Sequence, residues 1–326
     1  MTSNHSDGAA SAPFSVVGRK PLSRFAPSPT GPLHAGSLLA AMGSYLDARA
    51  HGARWLVRVE DLDTPRVVPG CADQQLRTLE AFGFEWDGDV LYQSTRRAAY
   101  RTALAMLAAA GRLYRCSCTR KDLAADGGIE ARGYPGTCRS GPTRPGPTSV
   151  RFRIGAAPIH FDDLYLGPQT VTPAVSGDVV VERRDGLATY QLAVVVDDAH
   201  QGVTRIIRGA DLLASTAWQI ELQRALCVPT PIYGHLPLLL EPDGKKLSKS
   251  NRALAIDPTG SKTVEPLDPT AISRALTSTL TLLSQAPPPE LAESSIEDVW
   301  KWAFEHWRPQ ALAGATECRL SAPRDT

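Results

Sequence analysis

Lys246-Leu247-Ser248-Lys249-Ser250, directly after Asp243-Gly244-Lys245, places two ammonium groups three residues apart behind a glycine hinge. Such a pair can swing onto a triphosphate and stabilise the negative charge that develops on a departing pyrophosphate. A solvated lysine run fits the same residues. A Gly-x-x-x-x-Gly-Lys-Ser/Thr phosphate loop is absent, so P-loop chemistry is not indicated. Far upstream, Arg24-Phe25-Ala26-Pro27-Ser28-Pro29-Thr30-Gly31-Pro32-Leu33-His34-Ala35-Gly36-Ser37 packs three prolines and two glycines into one turn. Proline fixes φ and removes a donor while glycine opens other backbone angles, so this turn is shaped. His34 and Ser37 fall at the start of a helix, where free N–H groups and the helix dipole attract phosphate. A proline-rich connection into a capped helix accounts for the same pattern. Cys116-Ser117-Cys118 and Cys138 form a third cluster, with three soft ligands for a metal, or three reduced buried thiols.

The elements that would hold these groups alternate. Leu22 to Ala26 reads as a strand, and Leu38, Leu39, Met42, Tyr45 and Leu46 recur at helical spacing before Gly52. Trp55 to Glu60 reads as a buried strand that ends in Glu60-Asp61-Leu62-Asp63. In open parallel sheets ligands collect beyond such strand ends. A carboxylate there suits a substrate ammonium, a helix cap or solvent. Further helices are predicted from Leu76 to Phe82, from Ser94 to Ala110 and from Leu212 to Leu226. Strand character is read at Val150 to Ile154, Ile159 to Leu166, Asp178 to Arg184, Tyr190 to Val196, Thr204 to Arg208 and Ile232 to Leu240. Asp268-Pro269 and Ser295 with Asp298 are helix-start signals. The alternation predicts an α/β layer fold.

The bulk composition fits that class. The chain has 326 residues, 43% of them hydrophobic, and a formal net charge of +1, so contact with nucleic acid would rest on local patches. Arg96, Arg97, Arg101, Arg112, Arg115, Arg120 and Lys121 could supply one, or a solvated helix face. Six cysteines in this length do not make a disulfide framework. No run reaches membrane-spanning length, and the Ser/Ala/Gly-rich start reads as a disordered tail, so a cytoplasmic location is expected.

The opening turn and the Lys246–Ser250 stretch together resemble the two signature motifs of class I aminoacyl-tRNA synthetases. Arg24 to Leu33, Arg58-Val59-Glu60-Asp61-Leu62-Asp63 and Gln201 through Asp211 resemble glutamyl-tRNA synthetases in particular, over residues 22 to about 260. Those enzymes continue into a helical anticodon-binding region, whereas this sequence stops at Thr326 and is expected to lack one. In this it is similar to the shortened paralogues that attach glutamate to queuosine in the anticodon of tRNA(Asp), as are Gln191 to Asp198 and the Cys-x-Cys stretch. Ser37 takes the place of the family's final histidine.

The resemblance implies a Rossmann-like parallel sheet interrupted by a zinc-bearing insertion, then a small helical region. The boundaries expected are a tail at 1–20, catalytic halves at 21–112 and 189–242, an insertion at 113–188, and the lysine loop with helices at 243–326. It implies that Arg24, Phe25, Ala26, Pro27 and Ser28 line a glutamate pocket, with Arg24 and Arg208 on the side-chain carboxylate, Glu60 on the ammonium and Tyr190 in contact. His34, Gly36, Ser37 and Lys249 would serve ATP, with His34, Lys246 and Lys249 catalytic and Mg²⁺ on the phosphates. Cys116, Cys118, Tyr134 and Cys138 would hold one structural Zn²⁺. The implied partners are glutamate and queuosine-bearing tRNA(Asp), handled by a monomer. A shortened enzyme charging tRNA(Glu) and an inactive RNA-binding paralogue are the alternatives.

Overall fold

The computed structural model describes residues 20–125, 133–172, 177–240 and 268–319. Lys246 and Lys249 lie outside the described residues. β1 (Leu22–Phe25), α1 (Ala35–Ala50) and β2 (Arg54–Val59) form a parallel β-α-β unit, followed by α2 (Cys71–Ala81), β3 (Leu91–Tyr92) and α3 (Arg97–Ala109). Next come β4 (Leu113–Cys116), α4 (Arg120–Ala125), β5 (Ser149–Phe152), β6 (Ile159–Asp163), β7 (Gly167–Val171) and β8 (Val179–Glu182). The remainder is α5 (Tyr190–Gln201), β9 (Arg205–Gly209), α6 (Leu213–Ala225), β10 (Ile232–Leu236), β11 (Leu238–Leu240), α7 (Pro269–Leu282), α8 (Ile296–His306) and β12 (Glu317–Arg319).

β1, β2 and β3 pair in that order, all parallel, and a second sheet runs β7-β6-β10-β9. The two meet edge to edge: the Thr204 N–H donates to the Leu22 carbonyl at 2.9 Å, and the Leu22 N–H to the Thr204 hydroxyl at 2.9 Å. β1 and β9 therefore stand side by side although far apart in sequence, and the crevice beyond their carboxyl ends is where an α/β fold receives its ligand. β4, β5 and β8 make a separate antiparallel sheet. The β6–β7 hairpin, read from sequence with the insertion, instead pairs with β10 through Tyr233 and Asp163 and extends the parallel sheet.

Two layers of apolar packing hold the crevice rigid. On one face α1 presents Leu39, Met42 and Leu46 to Trp55, Val57 and Phe84, and α7 and α8 close over them with Leu276, Leu280 and Trp300. The Trp300 indole N–H donates to the Phe82 carbonyl at 2.8 Å. Gly43 lets α1 approach β10, because a Cβ there would lie 2.6 Å from a Leu236 methyl. On the other face α3, α5 and α6 pack Leu107, Leu192, Val195 and Leu222 onto Phe152 and Val181.

Two further sequence expectations need correction. Tyr190 to Val196 is the start of α5, not a strand; Leu192 through Val195 are all buried, so the run shows no helical period and its valines mimic a sheet interior. Ile232 to Leu240 is two strands, because Pro237 has no N–H to continue the ladder with β9. The tail beyond Ala311, which carried no reading, supplies β12 as the parallel partner of β11. The helix starts at Asp268 and Ser295 are as expected, with side-chain oxygens accepting from the Ala271 and Asp298 N–H groups. The basic run does not form one open surface: Arg96 pairs with Asp197, and Arg112 with Glu221 while stacking on Phe152.

Candidate active site

The opening turn is held in shape by neighbours that use up its carbonyls. The Glu60 N–H donates to Pro27 O at 2.9 Å, the Val68 N–H to Pro29 O at 2.9 Å, and the Gln75 amide to Ser28 O at 3.2 Å and Gly31 O at 2.7 Å. Where the turn ends, His34 caps α1: its Nδ1 accepts from the Ser37 N–H at 3.2 Å, which puts a neutral ring's proton on Nε2. A Cβ on Gly36 would come within 3.1 Å of that ring, so glycine lets the imidazole lie against the helix start.

A cavity of about 600 Å³ opens above β1 and β9, and Arg24, Phe25, Ala26, Pro27, Ser28, His34, Gly36, Ser37, Glu60, Tyr190 and Arg208 all line it. Every described residue assigned to glutamate or ATP from sequence thus faces one space. Lys246 and Lys249 lie outside the described residues, and Leu238 and Leu239 of β11, the strand before them in the chain, also line the cavity.

Behind the lining stands a charge network whose partners lie far apart in sequence. Asp198, buried on α5, accepts from Arg24 Nε at 3.0 Å, Arg24 Nη2 at 3.3 Å and Arg58 Nη1 at 2.7 Å. Arg58 also reaches Gln201 at 2.8 Å and Glu60 at 3.4 Å. Burial works to raise the Asp198 carboxyl, but the Arg24 and Arg58 guanidinium groups hold it below the usual carboxylate range. At Glu60 the balance is reversed: burial pushes the carboxyl up against the pull of Arg58 and Arg24. With Nε and Nη2 committed to Asp198, Nη1 of Arg24 is the nitrogen left for a ligand.

Arg208 is held differently. Its Nε donates to His235 Nε2 at 3.1 Å, Nη1 to Gln219 at 2.7 Å and the Tyr190 hydroxyl at 3.4 Å, and Nη2 to the Thr216 hydroxyl at 2.8 Å and the Leu212 carbonyl at 3.3 Å. His235 in turn donates from Nδ1 to Asp163 at 2.5 Å. Burial lowers the imidazole's affinity for a proton despite that carboxylate, which keeps the ring neutral and able to accept from Arg208. Arg208 therefore touches only neutral groups among the described residues, and its two longest bonds, to Tyr190 and Leu212, are those an incoming carboxylate can displace.

The cysteine cluster lies away from the cavity. The sulfurs of Cys116, Cys118 and Cys138 are all within 4.8 Å of one another, with Cys118 and Cys138 3.6 Å apart. The Tyr134 hydroxyl sits 3.3 Å from Cys116 Sγ and 3.6 Å from Cys118 Sγ. A tetrahedral zinc with bonds of about 2.3 Å to sulfur sets its sulfurs about 3.8 Å apart, so the spacing suits that ion. Against burial, which raises it, hydrogen bonds from Ser117 and Tyr134 hold the Cys138 thiol down to about 5. Tyr134 is fixed from both sides: Arg151 stacks 3.6 Å from its ring centroid, and the backbone of Tyr134 lies where any Cβ on Gly177 would have to go.

The family model described as "tRNA synthetases class I (E and Q), catalytic domain" matches residues 22–267. The chain belongs to this family. Among curated proteins, the Glutamyl-Q tRNA(Asp) synthetase of Geobacter sulfurreducens is 51% identical over 304 residues, covering 90% of this chain and 94% of that one. The protein of the same name from Dechloromonas aromatica is 52% identical over 302 residues, covering 89% and 94%. Among solved structures, the glutamate-tRNA synthetase of Elizabethkingia anophelis superposes with a TM-score of 0.76 at 26% identity, covering 93% of this chain and 68% of that one. A methionyl-tRNA synthetase of Mycobacterium tuberculosis, at 12% identity and a TM-score of 0.52 over 80% of this chain and 64% of that one, shares the fold. The α/β fold is the shared scaffold. No helix among the described residues is long and apolar enough to cross a membrane.

Of the residues that shape the cavity, Arg58, Asp163, Asp198, Gln219 and His235 were not singled out from sequence. Arg58 and Asp198 lie in stretches quoted for their family likeness, and a buried charge inside an otherwise apolar run was the available signal at both.

Proposed function

We propose that the chain activates glutamate with ATP, without tRNA, and transfers it to the cyclopentene diol of queuosine in the anticodon of tRNA(Asp). It is a ligase of the aminoacyl-tRNA synthetase type. The observation that carries the amino-acid assignment is Arg208, a buried guanidinium at the cavity wall whose described partners are all neutral, so that a ligand carboxylate completes its charge. Arg24 Nη1 adds a second donor, Glu60 takes the ammonium, and Tyr190 closes the pocket beside Arg208.

In the first step the glutamate α-carboxylate oxygen bonds to the α-phosphorus of ATP, and the bond to the bridging oxygen breaks with its electron pair leaving on pyrophosphate. The protein contributes alignment and fixed charge: His34 at the start of α1 faces the phosphates, and Lys246 and Lys249 neutralise the leaving group. Magnesium bound to the phosphates supplies further charge neutralisation. In the second step a diol oxygen forms the ester to the glutamyl carbonyl carbon, the carbonyl–phosphate bond breaks, AMP departs with the electron pair and the hydroxyl proton is released. Residues 21–112 and 189–242 form the halves of the catalytic unit, joined at β1 and β9 and extended by the β6–β7 hairpin, with the rest of 113–188 inserted between them, and the protein works as a cytoplasmic monomer. Glutamate-dependent ATP–pyrophosphate exchange in the absence of RNA is the test; no exchange at saturating glutamate would refute the activation step.

Cys116, Cys118, Tyr134 and Cys138 hold one Zn²⁺ in a structural role. Elemental analysis of the purified chain is expected to give about one zinc per molecule, falling by at least half in Cys138→Ser. A folded wild-type protein that binds none would remove the metal from the account.

A further inference from the structure

Beside the first cavity lies a second, of about 860 Å³, and the two share Ser28, Glu60, Arg66 and Tyr190. The functional reading assigns atoms only to the first. Across the second runs a ladder of alternating charge. Arg66 Nε bonds Asp63 at 2.5 Å, Arg183 Nη1 bonds the other Asp63 oxygen at 2.7 Å, and Arg183 Nη2 bonds Asp185 at 2.8 Å. Three of its four members are side chains more than a third exposed: Arg66 at 74%, Arg183 at 37% and Asp185 at 46%. Ion pairs this wet contribute little to stability, so they can be exchanged for other partners at small cost.

Behind the ladder the chain is pinned by hydrogen bonds. Arg184 donates to the Ser117 and Cys118 carbonyls at 2.9 and 3.0 Å, which ties the β8 turn to the cysteine knuckle. Ala188 leaves open the part of the cavity that it lines, between that turn and Tyr190. A cleft that touches Glu60 and Tyr190 on one side and solvent on the other, with exchangeable guanidinium groups across it, suits a nucleoside turned out of an RNA loop. The nucleoside would reach toward the activated carbonyl while its flanking phosphates replace the carboxylates on Arg66 and Arg183.

We propose that this second cavity is the acceptor-nucleoside subsite and that Arg183 is a positioning residue there, exchanging Asp63 and Asp185 for RNA phosphate; this rests on the two-step reading above. Arg183 and Ala188 do not line the first cavity, which separates the two steps experimentally. In Arg183→Ala, pyrophosphate exchange is expected to stay within about twofold of wild type, while transfer to queuosine-bearing tRNA(Asp) falls about tenfold or more through KM for the RNA. The slope of log affinity against log salt should become shallower by about 0.7. Ala188→Phe, which fills the cavity without touching a charge, should likewise keep exchange and lose transfer. Unchanged transfer in both variants, or exchange falling in step with transfer, would overturn the subsite. A wild-type chain that exchanges no pyrophosphate would instead overturn the two-step reading and the subsite with it.

Discussion

Asp198→Asn is expected to destabilise the protein by ~3–5 kcal/mol and to reduce pyrophosphate exchange to background, because breaking a buried ion pair strands the charges that remain. Asp198 is 3% exposed and accepts from two guanidinium groups that are themselves 3% and 0% exposed. The amide of Asn is neutral and points a donor at one of them. Glu60 alone, 3.4 Å from Arg58, cannot neutralise both. The pH dependence has the same origin. Asp198 has a folded value below its unfolded one, so its contribution is fully present above the ordinary aspartate range and is lost as pH falls through the folded value. Urea unfolding of the variant at neutral pH checks the magnitude, and wild-type stability there would show that the network is not what holds β1, β2 and α5 together.

The second large effect belongs to Arg208. In Arg208→Lys the charge survives but the planar fork does not, and a single ammonium cannot serve His235, Gln219, Thr216 and a ligand carboxylate together. A drop of about a hundredfold in kcat/KM for glutamate is expected, equivalent to ~2.7 kcal/mol and within the range for a lost charged hydrogen bond with its orphaned buried partners. The loss should fall on KM for glutamate with KM for ATP little changed, since Arg208 is assigned to the amino acid. Exchange assays across glutamate and ATP concentrations separate the two. An unchanged KM for glutamate would move the amino-acid carboxylate elsewhere in the cavity.

How far these residues could be read from sequence depends on how local their physics is. The opening turn was legible because proline fixes its own backbone and glycine frees its own, and the caps at Asp268 and Ser295 because each bonds an N–H three residues on. The cysteine cluster was legible for the same reason, Cys116 to Cys138 being one short stretch. α5 was not, since a helix buried on most sides loses the period that identifies it. Nor was β12, a three-residue edge strand whose partner lies far back in the chain. The Arg24–Asp198 and Arg58–Asp198 contacts span 174 and 140 residues, and the choice of buried partner is made only when β1, β2 and α5 are brought together by the fold. Family likeness placed Arg24, Glu60 and Arg208 in one site, but that Arg24 spends two of its nitrogens on Asp198, and that Arg208 leans on a neutral His235 backed by Asp163, required coordinates.

The destination of the glutamate is the central claim. Labelled glutamate with ATP should be offered to tRNA(Asp) with queuosine, to tRNA(Asp) without it, and to tRNA(Glu). Label on the queuosine-bearing tRNA(Asp) alone is the result the account predicts; label on tRNA(Glu) alone would contradict it.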